Sequence, residues 1–176
     1  MDARRIRMVF LLAVVLCATA ALAVNRPGAS PRNEPPAEVR DIRYADLARC
    51  VKELSGQVIV VDFWADYCFP CKREFPQLVE LHRKYANSGL TAISVSLDGT
   101  HDAETRDRVR NFLTKQQATF ANFILDEKPE VWQQKLKIDG PPCVFVFGRK
   151  GELLKRYHDG VDYKDVEVIV VEALKQ

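Results

Sequence analysis

Val58-Ile59-Val60-Val61-Asp62-Phe63-Trp64-Ala65-Asp66-Tyr67-Cys68-Phe69-Pro70-Cys71-Lys72 joins an apolar, β-branched run to two cysteines at C-x-x-C spacing. The run is too short for a helix and reads as a buried central strand over Gln57–Trp64. The cysteines fall where that strand turns into a helix, predicted over Cys71–Ala86 with Phe75, Leu78, Val79 and Tyr85 inward and a kink at Pro76. A helix start carries unpaired backbone N–H groups and a partial positive charge, which favour a thiolate over a thiol. Cys68 is therefore the candidate nucleophile. Cys71, one turn along, is placed to attack a mixed disulfide on Cys68 and release the cargo.

Other uses of a C-x-x-C pair fit less well. Zinc needs four ligands, and Cys50, Cys143, His82, His101 and His158 are scattered singly, so no metal site is assigned. Covalent haem needs histidine after the second cysteine, where this chain has Lys72. A purely structural disulfide over so short a loop would add little stability. The pattern calls for no cofactor.

Asp62 breaks the apolar run. A carboxylate in a strand buried on both faces is costly and responds by raising its pKa, which suits it to take the proton from Cys71 as that thiol attacks, through a water. The alternative is a partly exposed aspartate at a sheet edge. Gly140-Pro141-Pro142-Cys143 precedes an apolar strand, and its proline pair is the natural place for a cis peptide at Pro142, with ring and carbonyl facing the disulfide. Cys143 is either a small core residue or a third thiol near the pair. Cys50 reads as a small buried hydrophobe and His82 as an ordinary residue of a helix face.

The 176 residues, 47% apolar and 28% charged, suit one globular domain behind a non-globular leader. Arg4, Arg5 and Arg7 precede an uncharged stretch from Met8 to Asn25, so residues 1–24 read as an export signal or membrane anchor. Cys17 lacks the small preceding residue of a lipidation site. Residues 25–40 are polar and proline-broken, the composition of an extended spacer of roughly 3 Å per residue, or of a tail with no spacing role. Without residues 1–23 the chain has 23 basic and 23 acidic side chains, which leaves no nucleic-acid footprint.

Residues 41–176 form the domain. Helices are predicted over Asp41–Leu54, Asp102–Gln116, Lys128–Leu136 and Val161–Leu174. Strands are predicted over Leu90–Leu97, Phe120–Leu125 and Cys143–Phe147, the last followed by a hairpin return over Glu152–Tyr157. Asp102 is the expected N-cap of its helix, and the Asp98, His101, Asp102 group reads as a capped loop rather than a metal site. The alternation of elements predicts an α/β fold, a mixed central sheet flanked by helices.

The V-D-F-W-A-x-x-C-x-P-C-K run from Val61 to Lys72 resembles the thioredoxin superfamily. The export segment, the helix-and-strand insert of roughly residues 99–125 and the G-x-P…F-V-F…K-G-E-L ending are similar to exported TlpA/ResA-type thiol:disulfide oxidoreductases. The resemblance implies a thioredoxin-like fold and a dithiol at Cys68 and Cys71. It further implies Asp62 as buried acid, Pro142 as cis-proline, and a substrate surface including Trp64, Phe69, Pro70, Pro141 and Pro142. The partners it implies are disulfide-bonded protein substrates and an upstream membrane thiol donor, with a role in cytochrome c maturation. A disulfide-forming oxidase and a copper-handling assembly factor with Cys143 or a histidine as third ligand are the alternatives. Departures from the family pattern are Ser94 where thioredoxins carry a lysine near the buried acid, Tyr67 for the usual tryptophan, and Pro141-Pro142-Cys143 for a proline followed by threonine.

Overall fold

The computed structural model describes residues 37–99, 102–158 and 160–176. The leader, most of the spacer, Cys17 and His101 lie outside the described residues. Six strands form one sheet in the order β1-β4-β3-β2-β5-β6. They are β1 (Arg40–Ile42), β2 (Val58–Trp64), β3 (Leu90–Ser96), β4 (Ala121–Leu125), β5 (Cys143–Phe147) and β6 (Leu153–His158). The first four run parallel, while β5 pairs antiparallel with β2 and β6 antiparallel with β5. Five helices accompany them: α1 (Tyr44–Glu53), α2 (Phe69–Tyr85), α3 (Ala103–Lys115), α4 (Pro129–Leu136) and α5 (Tyr163–Leu174). The mixed sheet with helices on both faces is the α/β architecture expected from the sequence.

Every residue of β2 is buried. Successive side chains of a strand point to opposite faces, so β2 feeds two separate cores. Val58, Val60 and Trp64 pack with α2, α3 and α5 through Phe75, Leu78, Leu113, Val166 and Val170. Ile59, Val61 and Phe63 pack with α1 and α4 through Leu47, Val51, Trp132 and Leu136. By the same alternation Asp62 belongs to the face of α2 and α5.

Local chemistry sets the helix starts. The Asp102 carboxylate accepts from the N–H groups of Glu104 and Thr105 at 3.1 Å each, the expected cap of α3. Asp162 caps α5 by accepting from Lys164 N–H at 2.9 Å, so this helix begins two residues later than the apolar pattern suggested. Helix α2 begins two residues earlier, at Phe69, with Cys68 as its N-cap and Pro70 inside the first turn, where a missing N–H leaves no bond unmade. It continues as one helix through Pro76.

The domain starts earlier than the hydrophobic pattern indicated. Ala37 and Val39, assigned above to the spacer, pack against the α2 side of the core, and the Ala37 N–H donates to Thr114 Oγ1 at 2.8 Å. Arg40–Ile42 pairs with β4 as an edge strand, which shortens the first helix to begin at Tyr44.

Phe75 is fully buried and makes ring contacts with Trp64, Phe112 and Phe120, joining β2, α2 and the α3–β4 insert. Phe75→Ala is expected to destabilise the protein by about 3–5 kcal/mol. Denaturant unfolding of the two proteins checks this, and a difference below about 1 kcal/mol would contradict the packing.

Candidate active site

Cys68 and Cys71 are joined in a disulfide with S–S 2.03 Å. The Cys71 N–H donates to Cys68 Sγ at 3.3 Å, so the first sulfur accepts one of the open N–H groups of the α2 start. Both cysteines are buried, but their flanks are not: Tyr67 and Phe69 are 72% and 75% exposed. Pro70, next to Cys71 in the chain, lines a cleft of about 290 Å³ together with Arg73 and Glu74 of α2, Pro142 and the loop Gly160–Asp162. The Pro141-Pro142 bond is cis. Of the residues expected at the substrate surface, Phe69 is exposed and Pro70 and Pro142 share this cleft, while Pro141 is half-buried outside its lining.

One sequence expectation needs correction. Trp64, expected at the substrate surface, is fully buried against Phe75 and Phe112 and offers a substrate no area. Its Nε1 has no hydrogen-bond partner among the described residues. Of the two readings of Cys143, the structure favours the small core residue over the third thiol: it packs into the core on the α1 and α4 side, whereas Cys68 and Cys71 belong to the α2 side. Cys50 is half-buried, and burial raises its thiol above the ordinary value. His82 sits edge-on to Phe120, and burial lowers its pKa.

Asp62 is buried at 4% exposure, which settles the choice between core and sheet edge. Burial pushes its carboxyl up to about 7, although a hydrogen bond from Tyr163 pulls the other way. The Tyr163 hydroxyl donates to Asp62 Oδ2 at 2.8 Å, and burial followed by the Asp62 charge holds that phenol well above its ordinary range, so it stays a donor. Ser94, directly opposite Asp62 in the β2–β3 register, instead donates to Asn122 Oδ1 at 2.8 Å. Tyr163 is the residue sequence reading missed. It lies 101 positions from Asp62, at the first turn of α5, and nothing local marks it.

The loop ahead of Cys68 is pinned by charge. Asp66 accepts from Lys72 Nζ at 2.7 Å and from Arg108 Nε at 2.9 Å, and its own N–H donates to Asp98 Oδ2 at 2.8 Å. The Lys72 hydrogen bond is the main reason the Asp66 carboxyl lies below the usual range. Arg108 belongs to α3, so the insert reaches over to steady the loop that carries the first cysteine. Sequence reading assigned that insert no such contact.

Residues 56–153, more than half of the chain, match the family described as thioredoxin-like. The chain belongs to the thioredoxin-like family. The thiol-disulfide oxidoreductase ResA of Oceanobacillus iheyensis is 40% identical over 50 residues, which are 28% of this chain and 26% of that protein. The sporulation thiol-disulfide oxidoreductase A of Bacillus subtilis is 28% identical over 100 residues, 57% of this chain and 58% of that protein. The thioredoxin-like chain therefore spans between 26% and 58% of the length of these two relatives. Among solved structures, a Chlorobium tepidum protein described as a thiol:disulfide interchange protein DsbE superposes with a TM-score of 0.56 at 28% identity, over 69% of this chain and 83% of that one.

Because folding raises the Asp62 pKa from 3.8 to about 7, the folded state holds a proton there that the unfolded state releases. The stability this group contributes is complete below pH 4 and is lost as pH rises through about 7. Asp62→Asn removes the dependence, so its stability relative to wild type should rise by about 4 kcal/mol between pH 4 and pH 9. Urea unfolding across that range measures it, and parallel curves would contradict the buried, partnerless-in-charge carboxyl. Tyr163→Phe should move the Asp62 titration further up, read from its carboxyl carbon shift, whereas a downward move would contradict the hydrogen-bond assignment.

Proposed function

We propose that this chain is an exported thiol-disulfide oxidoreductase that reduces disulfides in protein substrates. The observation that carries the reading is the Cys68–Cys71 pair closed at the start of α2, with a buried acid titrating near neutrality on the same face of the sheet. The names of the thiol-disulfide oxidoreductase relatives support the same chemistry.

In the reduced protein Cys68 is the thiolate, favoured by the α2 N-terminus and by the Cys71 N–H. It attacks one sulfur of a substrate disulfide, forming a mixed disulfide and expelling the other substrate sulfur as thiolate. Cys71 then loses its proton to Asp62, through a water, and attacks Cys68 Sγ. The second substrate sulfur leaves, and the Cys68–Cys71 disulfide forms. Two electrons pass to the substrate, so an upstream membrane thiol donor must restore the dithiol. A carboxyl titrating near 7 suits this role, because it can accept and return a proton at working pH. The exposed rings of Tyr67 and Phe69, with Pro70, Pro141 and Pro142, receive the substrate chain, while Trp64 packs in the same core cluster as the pair.

Export rests on the reading of residues 1–24 as signal or anchor, and residues 25–36 then serve as spacer. Among the described residues no helix is long and apolar enough to cross a membrane; the proposed tether is residues 8–24. The resemblance to ResA-type proteins supports a reading in which the substrates are cysteine-bearing proteins of cytochrome c maturation.

Cys71→Ser expressed in the cell envelope should accumulate mixed disulfides through Cys68, and Cys68→Ser should abolish insulin reduction. Trapping through Cys71 in the Cys68→Ser protein would reverse the roles. A reduction potential well above the about −270 mV of thioredoxin would assign the oxidase direction instead.

A further inference from the structure

A larger cavity lies on the other side of the sheet from the disulfide. It encloses about 490 Å³ between α1, α4 and the β5–β6 hairpin. Among the described residues, α1 and α4, ten and eight residues long, are the helices on this side. Its floor is Val61 and Phe63 of β2 with Phe145 and Phe147 of β5. The volume falls within the range of small-molecule sites.

Its charges are of one sign. Lys52, Lys135, Lys150 and Arg156 line it, and no Asp or Glu does. None of the four makes an ion pair among the described residues. Arg156 lies over the Phe145 ring, its guanidinium carbon 4.5 Å from the centroid, and spends one N–H on the Lys137 carbonyl at 3.3 Å. Its Nε is buried without a hydrogen-bond partner. Stacked on that ring, the guanidinium holds a positive charge at the edge of the apolar floor with no carboxylate paired to it among the described residues.

We propose that this cavity binds an amphipathic carboxylate with an unbranched apolar tail, of the fatty-acid type, independently of the dithiol. The tail lies on Val61, Phe63, Phe145 and Phe147. The carboxylate accepts from Arg156, and the three lysines supply the remaining positive field. A phosphate or other compact anion would leave the apolar floor wet, and a neutral hydrocarbon would leave Arg156 unmatched.

Isothermal titration of the full chain with octanoate, nonanoate and decanoate below their micelle concentrations, and with decanol, tests this. The expected result is one site per chain, affinity rising about fourfold per added methylene, the equivalent of about 0.8 kcal/mol each, and decanol at least tenfold weaker than decanoate. Arg156→Gln should weaken decanoate at least tenfold while leaving decanol unchanged. Ala48→Trp, which fills the cavity from an exposed position on α1, should abolish both, with insulin reduction retained. Absence of binding, many sites per chain, or equal affinity for decanol and decanoate would overturn the proposal. So would self-association of the ligand-free chain that Ala48→Trp abolishes, which would assign the face to a second copy.

Discussion

Burial of β2 on both faces is the constraint from which the rest follows. Seven consecutive residues are removed from water, so alternate side chains must satisfy two different cores and the strand has one position in the sheet. Its carboxyl end then delivers the 65–68 loop to the start of α2, where the Cys71 N–H donates to the first sulfur. The same constraint drags Asp62 into the interior. With no ion pair among the described residues, the carboxyl is matched by a neutral Tyr163 hydroxyl, and burial keeps its pKa near 7 rather than near 4. An acidic strand residue and a reactive sulfur pair are thus two consequences of one buried strand.

The two faces of the sheet divide the labour. On one, α2 is held by α3 and α5, and contacts from distant parts of the chain prepare the disulfide: Arg108 of the insert grips Asp66, and Tyr163 of the last helix grips Asp62. On the other, two short helices leave an apolar floor under a cationic rim, with no part in the dithiol chemistry. The insert adds cover and, through Arg108, supports the loop of the β2–α2 junction.

What could be read from the sequence was the chemistry carried by short spacing. The apolar run, the C-x-x-C pair and the Asp102 cap are local, and strand and helix follow from them with small changes at their ends. Three features were beyond that reading, each for a physical reason. Arg40–Ile42 is a strand only because β4 offers an edge to pair with, since two of its three residues are exposed and give no alternating signal. Tyr163 meets Asp62 only when α5 closes over β2. Trp64 was placed at the substrate surface by resemblance, whereas strand alternation turns its side chain into the core.

In the proposed mechanism the α2 start makes Cys68 the more acidic thiol of the pair. The direct measurement is the pH dependence of Cys68 alkylation in the reduced protein, followed by thiolate absorbance in the Cys71→Ser variant. The expected ionisation lies clearly below the about 8.5 of an ordinary cysteine. Ionisation at or above that value would contradict it.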